Sequence, residues 1–333
     1  MNRPSLSIVV PTYNRRRLLN RTLPSLLAQE GVEGEYEVIV VVDGSTDGTL
    51  AMLNRTEWGR RLRVVSQSNR GLAAARNRGA IAARSEILLF LDDDMVASPD
   101  LAAIHLEKHG NASQKVVLGA LGLAEGVRRS FLKEGVAAWS RDLERRLSQP
   151  GYRARFDDWS FGHASIGRTL FLGLGGFDET FVSYGNEDYD LGWRLTHRGV
   201  EIQFAPRAVA RQIYDKSLAA WLGDVYCVGR ADVILADKHP SIAPALRLSR
   251  GEAHPLKRLA RWSGLASLDP LAPAWAALAG TLMAAERLSL RGSLLSHGQS
   301  LMGERVYWRG VRDARAPALP GLAGAVKRPG RAA

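Results

Sequence analysis

The chain has 333 residues, 46% of them apolar and 24% charged, with a formal net charge of +11. That balance excludes a globally disordered polymer and leaves enough chain for a core of ordinary size, in roughly two domains. Cys227 is the sole cysteine, which excludes an intrachain disulfide and a cysteine-based zinc cluster and suits a reducing cytoplasm.

Strand and helix signals alternate over the first 92 residues. Residues 6–10 form a short β-branched run that stops at Pro11, so they read as a first strand and not as a signal peptide. Residues 15–29 carry Leu18, Leu19, Leu23, Leu26 and Leu27 at helical spacing. Residues 37–42 (EVIVVV) are continuously apolar, as in a parallel strand buried on both faces. Ser45, Thr46 and Asp47 are candidate caps for a following helix. A third strand is expected at 62–66, an Ala-rich helix at 71–83, and a fourth strand at 87–91 that ends in Asp92-Asp93-Asp94. This alternation predicts an α/β fold with a mainly parallel sheet flanked by helices, in which ligands bind beyond the carboxyl ends of the strands. One rim should therefore carry Thr12-Tyr13-Asn14, Asp43-Gly44-Ser45 and Asp92-Asp93-Asp94.

After Asp94 the pattern loosens. A strand is expected at 116–123, a charged amphipathic helix at 128–147, and a strand near 201–205. Beyond about residue 215 the chain reads as helices broken at Pro240, Pro244, Pro255, Pro270 and Pro273, followed by a flexible tail. The expected division is a catalytic domain at 1–215, a helical basic region at 216–315 and the tail at 316–333. The most apolar later stretch, 271–285, is shorter than the ~20 residues of a membrane-spanning helix. Residues 241–333 hold 14 Lys and Arg against 5 Asp and Glu. That excess reads either as solvated helix faces or as contact with an anionic membrane surface, with the protein cytoplasmic and peripheral. No usual nucleic-acid-binding motif is visible, so nucleic acid is not an expected partner.

Three consecutive aspartates after a buried strand repel one another and pay a desolvation cost, which a divalent cation relieves. Mg²⁺ and Mn²⁺ take oxygen ligands, commonly one or two carboxylates plus substrate phosphates. Asp92 and Asp94 lie two apart and would project to one side of an extended chain, with Asp93 pointing elsewhere. A capped acidic turn and a receiver-type phosphoacceptor pocket are the other readings; the chain is too long for a lone receiver domain.

Taken together, these segments resemble the family-2 glycosyltransferases, which have the GT-A nucleotide-sugar fold. The resemblance lies in SIVVPTYNR, VVDGSTDGT, SNRGLAAARNRGA, LLFLDDDM, and GLGGFDETF followed by GNEDYDLGWRLTHRG, and covers residues 5–213. It implies an inverting transfer of a sugar from a nucleoside-diphosphate donor, UDP-sugar favoured, to a hydroxyl acceptor on a glycan, glycolipid or small molecule. Pro11, Thr12, Tyr13 and Arg15 would line the nucleobase pocket, and Asp43 would accept a hydrogen bond from the base. Asn69 and Arg76 would lie along the nucleotide. Asp92 would meet ribose or metal, Asp93 the donor, and Asp94 the metal. Asp188 of the Glu187-Asp188 pair would be the general base, with Glu187 the alternative. Gly175, Gly176, Phe177 and Asp178 would shape the sugar and acceptor pocket.

Relatives often carry a metal-ligating His where this chain has Gln212, so the third protein ligand is open and either Mg²⁺ or Mn²⁺ would serve. His163 reads as a structural or acceptor-side residue, Asp178 as a pocket residue or helix cap, and Asp190 with Arg194 as a helix ion pair. An inactive nucleotide-sugar-binding scaffold and a nucleotidyltransferase on a related fold are the competing functions.

Overall fold

The computed structural model describes residues 4–32, 35–110 and 114–316. The first half is built as the sequence pattern expects. Strands β1 (Leu6–Thr12), β2 (Tyr36–Asp43), β3 (Leu62–Gln67) and β4 (Ile87–Leu91) alternate with α1 (Arg16–Leu27), α2 (Thr49–Leu53) and α3 (Leu72–Ala82). All four strands pair in parallel, in the order β3-β2-β1-β4. Successive side chains alternate between faces, so the sheet is buried on both sides. Ile8, Val10, Val38 and Val40 pack with Leu19, Leu23 and Leu26 of α1, while Val9, Ile39 and Val41 pack with Ala73 and Ala75 of α3.

Two local expectations need correction. Pro11 does not end β1, which continues to Thr12 with Pro11 opposite Val41. Pairing with β4 stops at Val9, so beyond it the strand is bonded on one side only and tolerates a residue without an N–H. The cap of α2 is Gly48, in the left-handed conformation. Asp47 still serves this helix from one position further out, accepting the N–H of Thr49 at 3.1 Å. Ser45 and Thr46 bind Asn14 instead.

The second half adds β5 (Met95–Ala97), α4 (Leu101–His109), β6 (Lys115–Ala120), α5 (Phe131–Leu147), β7 (His163–Gly167), α6 (Arg168–Gly173), α7 (Glu187–His197) and β8 (Glu201–Gln212). β7 runs antiparallel to both β4 and β6, β8 runs parallel to β6, and β5 is antiparallel to β8. The result is one mixed, mostly parallel sheet of eight strands. The short strands β5 and β7, three and five residues long, are not expected from the sequence. β8 extends well past the expected residue 205, because its second half pairs with β5.

The described residues of 4–127, 136–182 and 187–214 form one compact unit; those of 128–135, 183–186 and 215–316 form another. The second unit contains α8 (Leu218–Lys238), α9 (Pro255–Leu265), α10 (Ala272–Arg287) and α11 (Ser293–Arg315). Two prolines read as breaks open helices: Pro255 is the first residue of α9 and Pro273 the second of α10, where the missing N–H costs nothing. Within this unit, buried Asp232 of α8 accepts hydrogen bonds from Asn186 Nδ2 at 2.6 Å and from the Tyr307 hydroxyl of α11. Among the described residues no helix is long and apolar enough to cross a membrane. The tail expected at 316–333 lies, apart from Ala316, outside the described residues.

Candidate active site

Because β1, β2, β3 and β4 are parallel, their carboxyl ends share one edge of the sheet, and the loops leaving them are stitched together there. Asn14, left-handed at φ 52°, donates its N–H to Ser45 Oγ at 2.9 Å, and its side-chain oxygen accepts the N–H of Thr46 at 2.7 Å. Asp43, buried at the end of β2, holds the entrance to α3. Its Oδ1 accepts from the N–H of Arg70 at 2.7 Å and from Gln67 Nε2 at 2.9 Å, and its Oδ2 accepts from the N–H of Gly71 at 2.9 Å. Gly44 is required beside it: φ is +73°, and a Cβ there would lie 2.6 Å from the backbone nitrogen of Asn69. Asn69 itself is exposed, Tyr13 and Arg15 are half-buried, and Pro11 and Thr12 are buried.

The three aspartates are not extended, as the sequence suggested; the chain turns through them, and Asp93 and Asp94 share Arg15 while Asp92 faces Arg76. Asp93 Oδ2 accepts the Thr12 hydroxyl at 2.7 Å, and Asp93 Oδ1 lies 4.0 Å from Arg15. Asp94 Oδ2 faces Arg15 at 3.9 Å and accepts from Gln212 Nε2 at 3.0 Å. Gln212 is brought there by pairing with Met95 across β5 and β8. Asp94 Oδ1 is buried with no hydrogen-bond partner. Burial, then the charges of Asp92 and Asp93, push the Asp94 carboxyl up to about 7.

An oxygen left unpaired in that setting is what a hard divalent cation coordinates. Among the described residues no three His, Cys, Asp or Glu side chains are grouped to hold a metal. The unpaired Oδ1 of Asp94, with the Gln212 amide bonded to Oδ2, nevertheless suits Mg²⁺ or Mn²⁺, which need few protein ligands when phosphate supplies the others.

Arg76 of α3 links the acid turn to α7. Its guanidinium, 2% exposed, donates from Nη2 to Asp92 Oδ1 at 3.0 Å, and from Nη1 to Asp188 Oδ1 at 2.9 Å and Glu187 Oε1 at 3.2 Å. Burial works against the arginine's charge, but Asp188, Asp92 and Glu187 outweigh it and raise its pKa. The role expected for Arg76 along the nucleotide is thus joined by a structural one that the sequence did not indicate. Asp188 Oδ2 accepts the N–H of Phe161 at 3.1 Å. The Asp188 side chain is 21% exposed against 6% for Glu187, so Asp188 is the more open carboxylate. Burial and then the charge of Asp188 push Glu187 up to about 7; burial also raises Asp188, with Arg76 opposing and Asp92 reinforcing the shift.

The 175–178 segment is a tight turn. Gly175 and Gly176 are left-handed, and a Cβ on Gly176 would sit 2.6 Å from Asn77 Oδ1. Asn77 grips the next residue twice, accepting from the N–H of Phe177 and donating to its carbonyl, both at 2.8 Å. The ring of Phe177, expected in the acceptor pocket, is 1% exposed and packs edge-on against Phe90 and Phe161 in the core. Asp178 accepts the N–H of Thr180 at 2.8 Å, a local turn and not a helix cap. The Asp190–Arg194 pair does more than brace α7, because Arg194 also donates to the carbonyls of Leu174 and Gly176.

His163 belongs to a buried network that sequence reading missed. Its Nε2 meets His105 Nε2 at 3.1 Å; Ser165 Oγ meets His105 Nδ1 at 2.8 Å and His109 Nε2 at 2.9 Å. The i,i+4 spacing of His105 and His109 was the available signal, and only the register of β7 shows what they face.

The mixed, mostly parallel sheet flanked by helices is of the GT-A class of fold. Residues 7–166 match the family profile described as glycosyl transferase family 2, and residues 141–215 match the one described as the N-terminal domain of galactosyltransferase. Residues 7–166 are thus a domain of glycosyltransferase family 2. A validoxylamine A glucosyltransferase of Streptomyces hygroscopicus subsp. limoneus is 36% identical over a 237-residue alignment that covers 63% of this chain and 50% of that protein. An uncharacterized glycosyltransferase of Bacillus subtilis strain 168, YfnE, is 32% identical over 58% of this chain and 61% of its own length. The chain thus spans only part of these relatives, half of the first. The mannosyltransferase PcManGT from Pyrobaculum calidifontis, in complex with GDP-Man and Mn²⁺, superposes with a TM-score of 0.58 at 19% identity, over 95% of this chain and 89% of that one. At that identity the likeness shows the fold.

Proposed function

We propose that the chain is an inverting glycosyltransferase that moves a sugar from a nucleoside diphosphate, UDP-sugar favoured, to a hydroxyl acceptor in one displacement. The observation that carries this reading is the position of Asp188: partly open, and bonded through Arg76 to the same acid turn that would hold the diphosphate. Asp188 takes the acceptor's hydroxyl proton. The acceptor oxygen bonds to the anomeric carbon as the bond from that carbon to the diphosphate oxygen breaks, and the nucleoside diphosphate leaves. Glu187, more buried, keeps Arg76 oriented. Asp43 and Asn69, with Pro11, Thr12, Tyr13 and Arg15, hold the nucleoside; Asp92 and Asp93 flank the donor. Gly175, Gly176 and Asp178 shape the acceptor side through their backbone. Mg²⁺ or Mn²⁺ held by Asp94 and Asp92 would offset the charge of the departing diphosphate. The GDP-Man and Mn²⁺ bound to the mannosyltransferase of the same fold agree with this reading. The basic C-terminal region is read as a contact for an anionic membrane surface, which makes the enzyme peripheral on a cytoplasmic face.

Incubating the protein with nucleotide-sugars, with and without Mn²⁺, tests the reading. Release of nucleoside diphosphate supports it. Formation of nucleoside triphosphate and sugar 1-phosphate when pyrophosphate is added indicates a nucleotidyltransferase, and no turnover with any donor indicates a binding scaffold.

A further inference from the structure

Helix α9 of the C-terminal unit is clamped on one side and apolar on the other. Its inner face is Ala260, Ser263 and Gly264, all buried. A Cβ on Gly264 would lie 2.4 Å from the carbonyl oxygen of Arg305 of α11, so backbone meets backbone there. Ser263 Oγ adds bonds to Asp269 at 2.5 Å and to Arg305 Nε at 3.0 Å. This clamp fixes the rotation of α9 and turns four large apolar side chains to solvent: Leu256 at 52% exposure, Leu259 at 43%, Trp262 at 51% and Leu265 at 38%. Leu268, just past the helix, is 90% exposed.

These residues recur every third position. A helix turns about 100° per residue, so each step falls back about 60°, and the four cover roughly half the circumference. Lys257 and Arg261 fill the flank between the apolar sector and the clamped face, while Arg258 lies within the sector, between Trp262 and Leu265. Arg258 is exposed, and Arg261 lies 3.8 Å over the ring of Trp308.

We propose that α9 is the membrane-docking element of this protein, lying flat on an anionic lipid surface with Leu256, Leu259, Trp262 and Leu265 inserted and its basic flank at the headgroups. The inference rests on the reading of the C-terminal region as a membrane contact and assigns that contact to one helix. Charge selects the occupant. A second copy laid face to face would bring the two basic flanks together, whereas anionic headgroups neutralise them. Breadth points the same way. A protein groove takes a narrow i, i+3/i+4, i+7 stripe, but a bilayer interface is continuous and receives a half-circumference sector with Trp at headgroup level.

The test is co-sedimentation of the full chain with sucrose-loaded vesicles of phosphatidylcholine alone or with phosphatidylglycerol. Partition onto the phosphatidylglycerol vesicles should be the stronger and should weaken as salt is raised. Leu259→Ser with Trp262→Ser should reduce it roughly tenfold or more. Lys257→Gln with Arg258→Gln should reduce it roughly tenfold on anionic vesicles and leave phosphatidylcholine binding unchanged. All four side chains lie on the outer or flanking surface, and unchanged far-UV circular dichroism and melting temperature confirm that each pair folds. Wild-type sedimentation that survives both pairs keeps a membrane contact elsewhere in the basic region and overturns α9 as its element. No sedimentation of the wild type overturns both readings. Concentration-dependent dimerisation that the serine pair abolishes, without vesicle binding, assigns the face to a second copy and likewise overturns the proposal.

Discussion

Arg76 Nη1 lies 2.9 Å from Asp188 Oδ1 and joins the carboxylate proposed as base to a helix that precedes it by more than a hundred residues. The same guanidinium holds Glu187 and Asp92, so one buried cation aligns three acids contributed by two distant segments. Arg76→Ala would leave those acids facing one another without a counter-charge. Breaking a buried ion pair from one side costs about 3–5 kcal/mol, and the loss should appear as a lower urea midpoint. Arg76→Lys keeps the charge but loses the fork that reaches Asp92 and Asp188 together. Its stability should fall less than that of Arg76→Ala, while its turnover drops by at least about tenfold. Equal stability of all three proteins would show that Arg76 does not organise the site.

A raised base gives a readable pH profile. The carboxyl that accepts the acceptor's proton must be ionised, and burial pushes both members of the pair up, Glu187 to about 7. The value of kcat/KM should therefore hold above neutral pH and fall as the pH drops, with an acid limb above the ordinary aspartate range. Because protons also compete with the cation at Asp94, the profile is measured at saturating Mn²⁺. Asp188→Asn should lower kcat by about 10²–10⁴-fold and leave nucleotide affinity nearly intact. An acid limb near pH 4, or unchanged turnover in Asp188→Asn, would remove Asp188 from the mechanism.

How much of this could be read from the sequence follows from the range of the forces involved. β1 to β4 and α1 announce themselves by their local apolar pattern and α3 by its alanine content, and parallel pairing then places Thr12, Asp43 and the Asp92–Asp94 turn on one rim without further information. What stayed hidden depends on register between distant segments. β7 is five residues long and antiparallel, so nothing local shows that it carries His163 toward His105 or the N–H of Phe161 toward Asp188. Arg76 sits in an Ala-rich helix like any amphipathic arginine until α7 is folded against it. Phe177 misleads in the opposite way: its motif points to the pocket, but its ring completes an aromatic core with Phe90, Phe161 and Phe171.

The cation reading turns on Asp94. Calorimetric titration of UDP or GDP into wild-type protein should show affinity strengthened by Mn²⁺, and Asp94→Ala should abolish the difference. Gln212 supplies an amide where imidazole would bind the metal more strongly, and its side chain already meets Asp94 at 3.0 Å. Gln212→His should therefore tighten Mn²⁺ more than Mg²⁺, because nitrogen ligands favour the transition metal. Wild-type nucleotide affinity that is identical with and without Mn²⁺ would remove the metal from donor binding.

The buried histidines predict where the fold fails in acid. The carbonyl of Ala120 can only accept, so His163 Nδ1, 3.2 Å away, carries the proton, and its Nε2 must accept from His105 Nε2–H. His105 Nδ1 then accepts the Ser165 hydroxyl, and Ser165 Oγ accepts from His109 Nε2–H. Every proton in this chain is placed with the imidazoles neutral, and protonating His163 would set its Nε2–H against that of His105. Burial accordingly pushes His163 down to about 4 and lowers His105 from its ordinary value. A depressed histidine gives stability that is present above the unfolded value of about 6.5 and is lost as pH falls toward the folded one. Between pH 7.5 and pH 5, His163 alone should account for about 2 kcal/mol of lost unfolding free energy. Urea titrations at the two pH values should show that loss in the wild type. His163→Gln, less stable at pH 7.5, should lose correspondingly less on acidification, and parallel losses in the two proteins would show that the network does not govern acid stability.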